Sequence, residues 1–187
     1  MNTYIDNVII PNPEIASVIL LDALFGKLHR TLGLLGNGAV GVSFPRFDNA
    51  QPTLGPCLRL HGTAAALGVF EELEWLGAVR DHVRTTGLTP VPEVAGYRTV
   101  RRVQVKSNPA RLRRRLIARH GMTETVALQA IPDTAARRSN LPFLTVKSAS
   151  TAQTFRLLIQ HGPLVSDPTQ AAFSAYGLST TATIPWF

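Results

Sequence analysis

The sequence predicts a mixed α and β protein in two parts, and three observations carry that prediction. Along residues 1–94, strand-like runs interleave with two stretches of helical period. Along residues 95–187 the pattern changes to strand-like runs around one strongly cationic helix. The charge divides at the same place. Residues 1–92 hold six Lys and Arg against eight Asp and Glu, a net of −2, while residues 93–187 hold thirteen against four, a net of +9. With 187 residues, 45% of them hydrophobic and 17% charged, the chain can bury a real core and is too apolar for disorder.

The first half is taken element by element. A strand over Tyr4 to Ile10 gives way at Pro11 and Pro13 to a long helix that runs to about Leu35. That helix keeps Leu21, Leu24, Phe25, Leu28 and Leu32 on one stripe, at the 3, 4 and 7 spacing of a buried face. Gly33, Gly36 and Gly38 end it. Strands are expected at Ala39 to Phe44 and Cys57 to His61, joined by a polar loop with Pro45 and Pro52. Thr63 is placed to cap a second helix over Ala64 to Leu73, with a continuation toward Val83. A fourth strand near Val91 completes β-α-β-β-α-β, the ferredoxin-like arrangement, for residues 1–94. That order occurs in many modules and says little about function by itself.

In the second half, Tyr97 to Lys106 alternates as a strand, with Arg102 and Gln104 on one face and Val103 and Val105 on the other. Asn108 followed by Pro109 is a strong helix start, cap then first turn. Gly121 stops that helix, and Thr123 opens a short one to about Ile131. Strand-like runs recur at Phe143 to Ser148, Phe155 to Ile159 and Ala172 to Leu178, before the apolar Ile184 to Phe187. The expected class is therefore α+β, a ferredoxin-like domain (1–94) followed by a basic α/β domain (95–187) with an arginine-rich helix.

Composition also excludes. A single cysteine, Cys57, allows no internal disulfide, and its apolar setting reads as a buried thiol in a reducing cytoplasm. Asp6 and Pro11 interrupt the amino terminus before any apolar run, so no secretory leader is expected. No stretch approaches the roughly 18 apolar residues of a membrane span. The five histidines are scattered without paired Cys or H-x-x-x-H spacing, so neither a metal nor a cofactor is expected.

The most informative segment is Arg98 to His120, with nine of the nineteen Lys and Arg and no acid. At 100° per residue, Arg111, Arg114, Arg115 and Arg119 fall within about 140° of one another, with Leu112 and Leu116 at one edge. A solvated face would mix Glu with its Arg at i,i+4, and this helix has none. The unrelieved charge points to a polyanion. A helix-turn-helix on DNA would need a preceding helix, whereas a strand precedes this one. A membrane surface would need an aromatic, broadly apolar opposite face, and that is lacking. RNA remains.

The strings LFGKLHR, GVSFP, RVQVKSNPARLRRRL, IPDTAAR, LPFLTVKSAST, FRLLIQHGPL and YGLS, with the final PWF, resemble the CRISPR-associated endoribonuclease of type I-F systems, from the first strand to the last residue. The resemblance implies an enzyme that cuts precursor CRISPR RNA at its repeat hairpins without a metal. The 2′-hydroxyl beside the scissile phosphate attacks, leaving a 2′,3′-cyclic phosphate and a 5′-hydroxyl. It implies His29 as the proton-transfer residue, Ser148 as the holder of the attacking hydroxyl and Tyr176 as the neighbour that orients the site. Arg102 and Gln104 would read base edges at the foot of the stem, and Phe155 would stack on its terminal pair. Arg111, Arg114, Arg115, Arg119 and His120 would contact phosphates, with Ser150 and Thr151 supporting the backbone near the cut. The implied partners are the mature CRISPR RNA, which such an enzyme would keep, and the other subunits of the type I-F surveillance complex, with no membrane. Ala118 departs from the family pattern, which has a basic residue there.

The residues themselves leave more open. His29 alone reads as a histidine at the margin of an apolar stripe, Ser148 as a polar strand end, and Phe155 as core. Histidine is nonetheless the side chain whose ordinary pKa suits proton transfer near neutrality. Arg102 and Gln104 stand best on physical grounds, since Arg with guanine and Gln with adenine are favoured bidentate pairs. His61, His82 and His161 read as structural. A hairpin-binding protein without cleavage activity and a DNA-binding regulator stay as alternatives.

Overall fold

The computed structural model describes residues 1–94, 96–104, 109–133, 139–148 and 152–187. They fall into two compact units, one of Met1–Val103 with Leu141–Phe187 and the other of Gln104–Asn140. The class is α+β.

The larger unit holds two antiparallel sheets. In the first, β1 (Thr3–Ile9), β2 (Gly41–Ser43), β3 (Cys57–Gly62) and β4 (Val83–Thr85) take the order β2-β3-β1-β4, and the two-residue β5 (Thr89–Pro90) also pairs with β1. Strand β1 alternates between buried and half-buried residues, as a strand with one face on a core should. Strand β3 is buried along its whole length. Its Arg59 forms a two-pronged ion pair with Asp6, directly opposite on β1, at 2.6 and 2.8 Å.

The expected fourth strand is split. Val83–Thr85 and Thr89–Pro90 both lie antiparallel to β1, and the Val91 N–H reaches the Asn2 carbonyl at 2.9 Å. Gly87, at a φ of 72°, breaks the strand between them. The second helix, α2 (Ala64–Glu72), opens on the Thr63 cap as expected but does not continue to Val83. Gly77 takes a φ of 50° there, and a 3-10 turn over Gly77–His82 leads into β4 instead.

Helix α1 (Ser17–Leu35) buries Leu20, Leu21, Leu24, Phe25, Leu28 and Leu32, the expected stripe with one residue added. Burying each such side chain is worth roughly 1.5–3 kcal/mol. The helix packs on β1 and β3 and also on β7 (Phe143–Lys147), so a single core joins both sheets. The second sheet has the order β7-β8-β6-β9, with β6 (Gly96–Val103), β8 (Thr154–His161) and β9 (Thr183–Trp186).

One expected strand is absent. Ala172 to Leu178 forms no ladder but folds as a tight turn, in which the Gly177 N–H bonds the Ser174 carbonyl at 2.8 Å and the Ser174 N–H bonds the Leu178 carbonyl at 3.0 Å. Gly177 decides it. Its φ of 68° lies in the left-handed region, and a Cβ there would collide with Val42 Cγ2. The apolar run Phe173 to Leu178 therefore buries Phe173 and Leu178 from a turn.

The smaller unit holds α3 (Pro109–His120) and α4 (Glu124–Ala130). Gly121, at a φ of 62°, ends α3 with its N–H on the Ile117 carbonyl, and Thr123 caps α4. The expected cap Asn108 and the strand residues Val105 and Lys106 lie outside the described residues.

Candidate active site and basic helix

His29 sits one turn after Phe25 on α1, half-buried at the edge of the stripe. Its Nδ1 lies 2.7 Å from the carbonyl oxygen of Ala175. A carbonyl can only accept, so Nδ1 carries the proton and donates it. In the neutral ring Nε2 is then the lone-pair nitrogen, available to take or return a proton. The ring also stacks on Tyr176, with centroids 4.1 Å apart and planes 5° from parallel. Tyr176 stacks in turn on Phe25 at 6.5 Å.

The turn that carries Ala175 and Tyr176 is built by its neighbours. Ser174 Oγ accepts from the Tyr176 N–H at 3.3 Å, and the Val42 N–H bonds the Gly177 carbonyl at 2.8 Å. The glycine that has no room for a Cβ thus ties the imidazole's acceptor to the first sheet.

Two more expected residues join this cluster. The guanidinium of Arg102, on β6, lies 5.3 Å from the Phe155 ring centroid and 5.8 Å from that of Tyr176, within cation–π range of both. Phe155, on β8, is half-buried against the core. His29, Tyr176, Arg102 and Phe155 thus form one chain of contacts drawn from α1, the Gly177 turn, β6 and β8.

Ser148 follows β7 directly. Its N–H bonds the Gln153 carbonyl at 2.8 Å and its carbonyl accepts from Ala152 at 3.0 Å, which fixes its backbone at the mouth of the β7–β8 hairpin. Strand β7 runs alongside α1 in the same direction. Phe143 shares a hollow with Ser17, Val18 and Leu21, and the Thr145 N–H bonds Asp22 Oδ1 at 2.9 Å. From Asp22 to His29 is about 10 Å at 1.5 Å per helical residue. From Thr145 to Ser148 is about 10 Å at 3.3 Å per strand residue. Measured from that bond, Ser148 and His29 are thus displaced by similar lengths along their own elements. Ser150 and Thr151 lie outside the described residues.

In the smaller unit, α3 exposes Arg111, Arg114, Arg115, Ala118, Arg119 and His120 and turns Leu112, Arg113, Leu116 and Ile117 inward. This is the face expected from the helical period. Arg113 does different work. It donates to the Ile131 carbonyl at 2.9 Å and pairs with Asp133 at 2.7 Å, clamping α3 to the end of α4. Gln104, the first residue of this unit, is exposed.

Comparison with known proteins adds the family. A model described as CRISPR-associated protein (Cas_Csy4) matches residues 4–187. This chain belongs to that family. Two relatives named CRISPR-associated endonuclease Cas6/Csy4, from Escherichia coli (strain UTI89 / UPEC) and Pseudomonas aeruginosa (strain UCBPP-PA14), are 48% and 46% identical to it over 187 residues, the full length of each chain.

In this Cas_Csy4 member, sequence reasoning overlooked three contributors to the geometry. Ala175 acts through its main chain, for which no side chain gives a signal. Arg113, alone of the helix's five arginines opposite the ridge, is left out of the arginine sector by the helical period but is given no role there. Asp22 could have been found, being the only acid between Ser17 and Leu35 and seven residues, about two turns, before His29. Burial pushes the Asp22 carboxyl pKa up, against hydrogen bonds from Thr145 that lower it. Among the described residues, no three His, Cys, Asp or Glu side chains group as a cation site, and no helix is long and apolar enough to cross a membrane.

Proposed function

We propose that this chain is the endoribonuclease that cuts CRISPR repeat hairpins in precursor CRISPR RNA. The observation that carries the reading is the held imidazole: Nδ1 committed to the Ala175 carbonyl, the ring stacked on Tyr176, and Nε2 left for chemistry. Its family relatives are named endonucleases.

In this reading the 2′-hydroxyl beside the scissile phosphate attacks in line. His29 exchanges the proton, Ser148 holds the attacking hydroxyl and Tyr176 keeps the imidazole in plane. The products are a 2′,3′-cyclic phosphate and a 5′-hydroxyl, and no step passes through a metal. Proton transfer by a positioned histidine is worth about 10²–10⁴-fold in rate. Arg102 and Gln104 read base edges at the foot of the stem, and Phe155 stacks on the terminal pair. Arg111, Arg114, Arg115, Arg119 and His120 bind phosphates, with Ser150 and Thr151 near the cut. The protein keeps its product and joins the other subunits of the type I-F surveillance complex.

The same reading assigns residues 1–94 to a ferredoxin-like domain and 95–187 to the RNA-binding domain. The order β1-α1-β2-β3-α2-β4, with strands arranged β2-β3-β1-β4 and all antiparallel, supports the first assignment. The exposed arginine face of α3 supports the second.

Incubation of the purified protein with its cognate repeat hairpin in EDTA tests the reading. A product ending in a cyclic phosphate is expected. Tight binding without cleavage would leave a non-catalytic hairpin-binding protein, and equal competition by duplex DNA would point to a DNA-binding regulator.

A further inference from the structure

Strand β7 lies at the edge of its sheet, so half of its backbone N–H groups have no strand to bond. One of them, on Thr145, is taken by Asp22 Oδ1 at 2.9 Å. Asp22 also accepts from the Thr145 side chain, and Leu21 of α1 and Leu144 and Val146 of β7 belong to the apolar core. Apolar packing is non-directional and tolerates small slides, whereas a hydrogen bond has a defined length and angle. The strand's height along the helix is therefore set by the bonds between Asp22 and Thr145. Ser148 feels any slip directly, because its amide and carbonyl are both tied into the hairpin that continues β7.

We propose that Asp22 is a positioning residue for RNA cleavage, pinning β7 to α1 so that Ser148 stands level with His29. This rests on the endoribonuclease reading above. The requirement is for an acceptor oxygen at that point, and charge is incidental to it. Asparagine, whose side-chain carbonyl can occupy the same place, should therefore serve in its stead. Misplacing a reacting group by about 1 Å can cost on the order of 100-fold in rate.

The experiment compares single-turnover cleavage of the repeat hairpin by wild type, Asp22→Ala, Asp22→Asn, Ser148→Ala, His29→Ala and the double variant Asp22→Ala/Ser148→Ala. Affinity is measured on a hairpin with a 2′-deoxy nucleotide at the cut. Asp22→Ala is expected to lose about 10- to 100-fold in rate with affinity unchanged, and Asp22→Asn to restore the rate. In the Ser148→Ala background the Asp22→Ala loss should vanish, since there is no longer a hydroxyl to place. A purely structural role predicts the same loss in both backgrounds, and that result overturns the proposal. So does wild-type cleavage by Asp22→Ala alongside an inactive His29→Ala. Absence of cleavage by wild type overturns the nuclease reading instead, and cleavage by His29→Ala overturns the proton-transfer role of His29 within it. If Asp22→Ala does not fold, Asp22→Leu against Asp22→Asn makes the same comparison at matched size.

Discussion

At the scale of single residues, the decisive feature is how little of His29's setting comes from its sequence neighbours. A histidine one turn after Phe25 could have been a mere helix-margin residue. Its Nδ1 partner lies 146 positions away on the Gly177 turn. That tautomer assignment leads to a direct prediction. His29→Ala should abolish cleavage, by about 10²–10⁴-fold or more, and leave the dissociation constant of the hairpin unchanged in a filter-binding or anisotropy assay. If affinity falls as far as rate, the proton-transfer role is wrong. His29, Tyr176, Arg102 and Phe155 came from the family resemblance, since alone His29 and Phe155 read as helix margin and core; the structure joins the four in one chain of contacts. Their mutual contacts were not legible, because stacking and cation–π geometry depend on four elements meeting, and no local pattern encodes that.

At the scale of elements, sequence worked where one period dominated. The α1 stripe is buried as its 3, 4 and 7 spacing requires, and the exposed and inward faces of α3 follow from 100° per residue. It failed where apolar composition was read without its turn chemistry. Phe173 to Leu178 looks like a strand, yet Gly177 demands a left-handed backbone and Ser174 closes the loop. The split of the edge strand at Gly87 is the same lesson on a smaller scale. For α3, the division between its arginines has a measurable consequence. Replacing Arg115 by Ala should weaken binding to all stems alike and flatten the slope of log affinity against log salt by about one unit. A loss confined to one stem sequence would contradict a phosphate contact. Arg113→Ala should act on stability instead, since its guanidinium is engaged by Ile131 and Asp133.

At the scale of the whole molecule, two buried histidines couple folding to pH. Burial, aided by the Arg59 charge, lowers the His61 pKa from 6.5 to about 3. Burial, aided by Arg98, lowers that of His161 to about 4. His61 Nε2 is engaged by Ser43 at 2.8 Å, and the His161 ring is stacked on Phe47 at 3.9 Å. Both are neutral in the fold and protonate in the unfolded chain below pH 6.5. The unfolded state therefore binds more protons, and stability falls with pH at up to about 1.4 kcal/mol per unit for each group. The loss runs from pH 6.5 down to about 4 for His161 and about 3 for His61, and the raised pKa of the Asp22 carboxyl acts in the opposite sense. Denaturant titrations at pH 7.5, 6 and 5 should show a steadily decreasing free energy of unfolding. A value flat across that range would contradict the buried-neutral assignment. None of this was visible in composition, which shows five histidines and not where they lie.

The central claim is that a ribose hydroxyl is the nucleophile and His29 manages its proton. Its sharpest test is a repeat hairpin carrying a single 2′-deoxy nucleotide just before the cut, assayed in EDTA beside the all-ribose hairpin. The deoxy hairpin should bind with the same affinity and remain intact, while its all-ribose counterpart yields a cyclic phosphate. Cleavage of both at similar rates would mean that another nucleophile does the cutting.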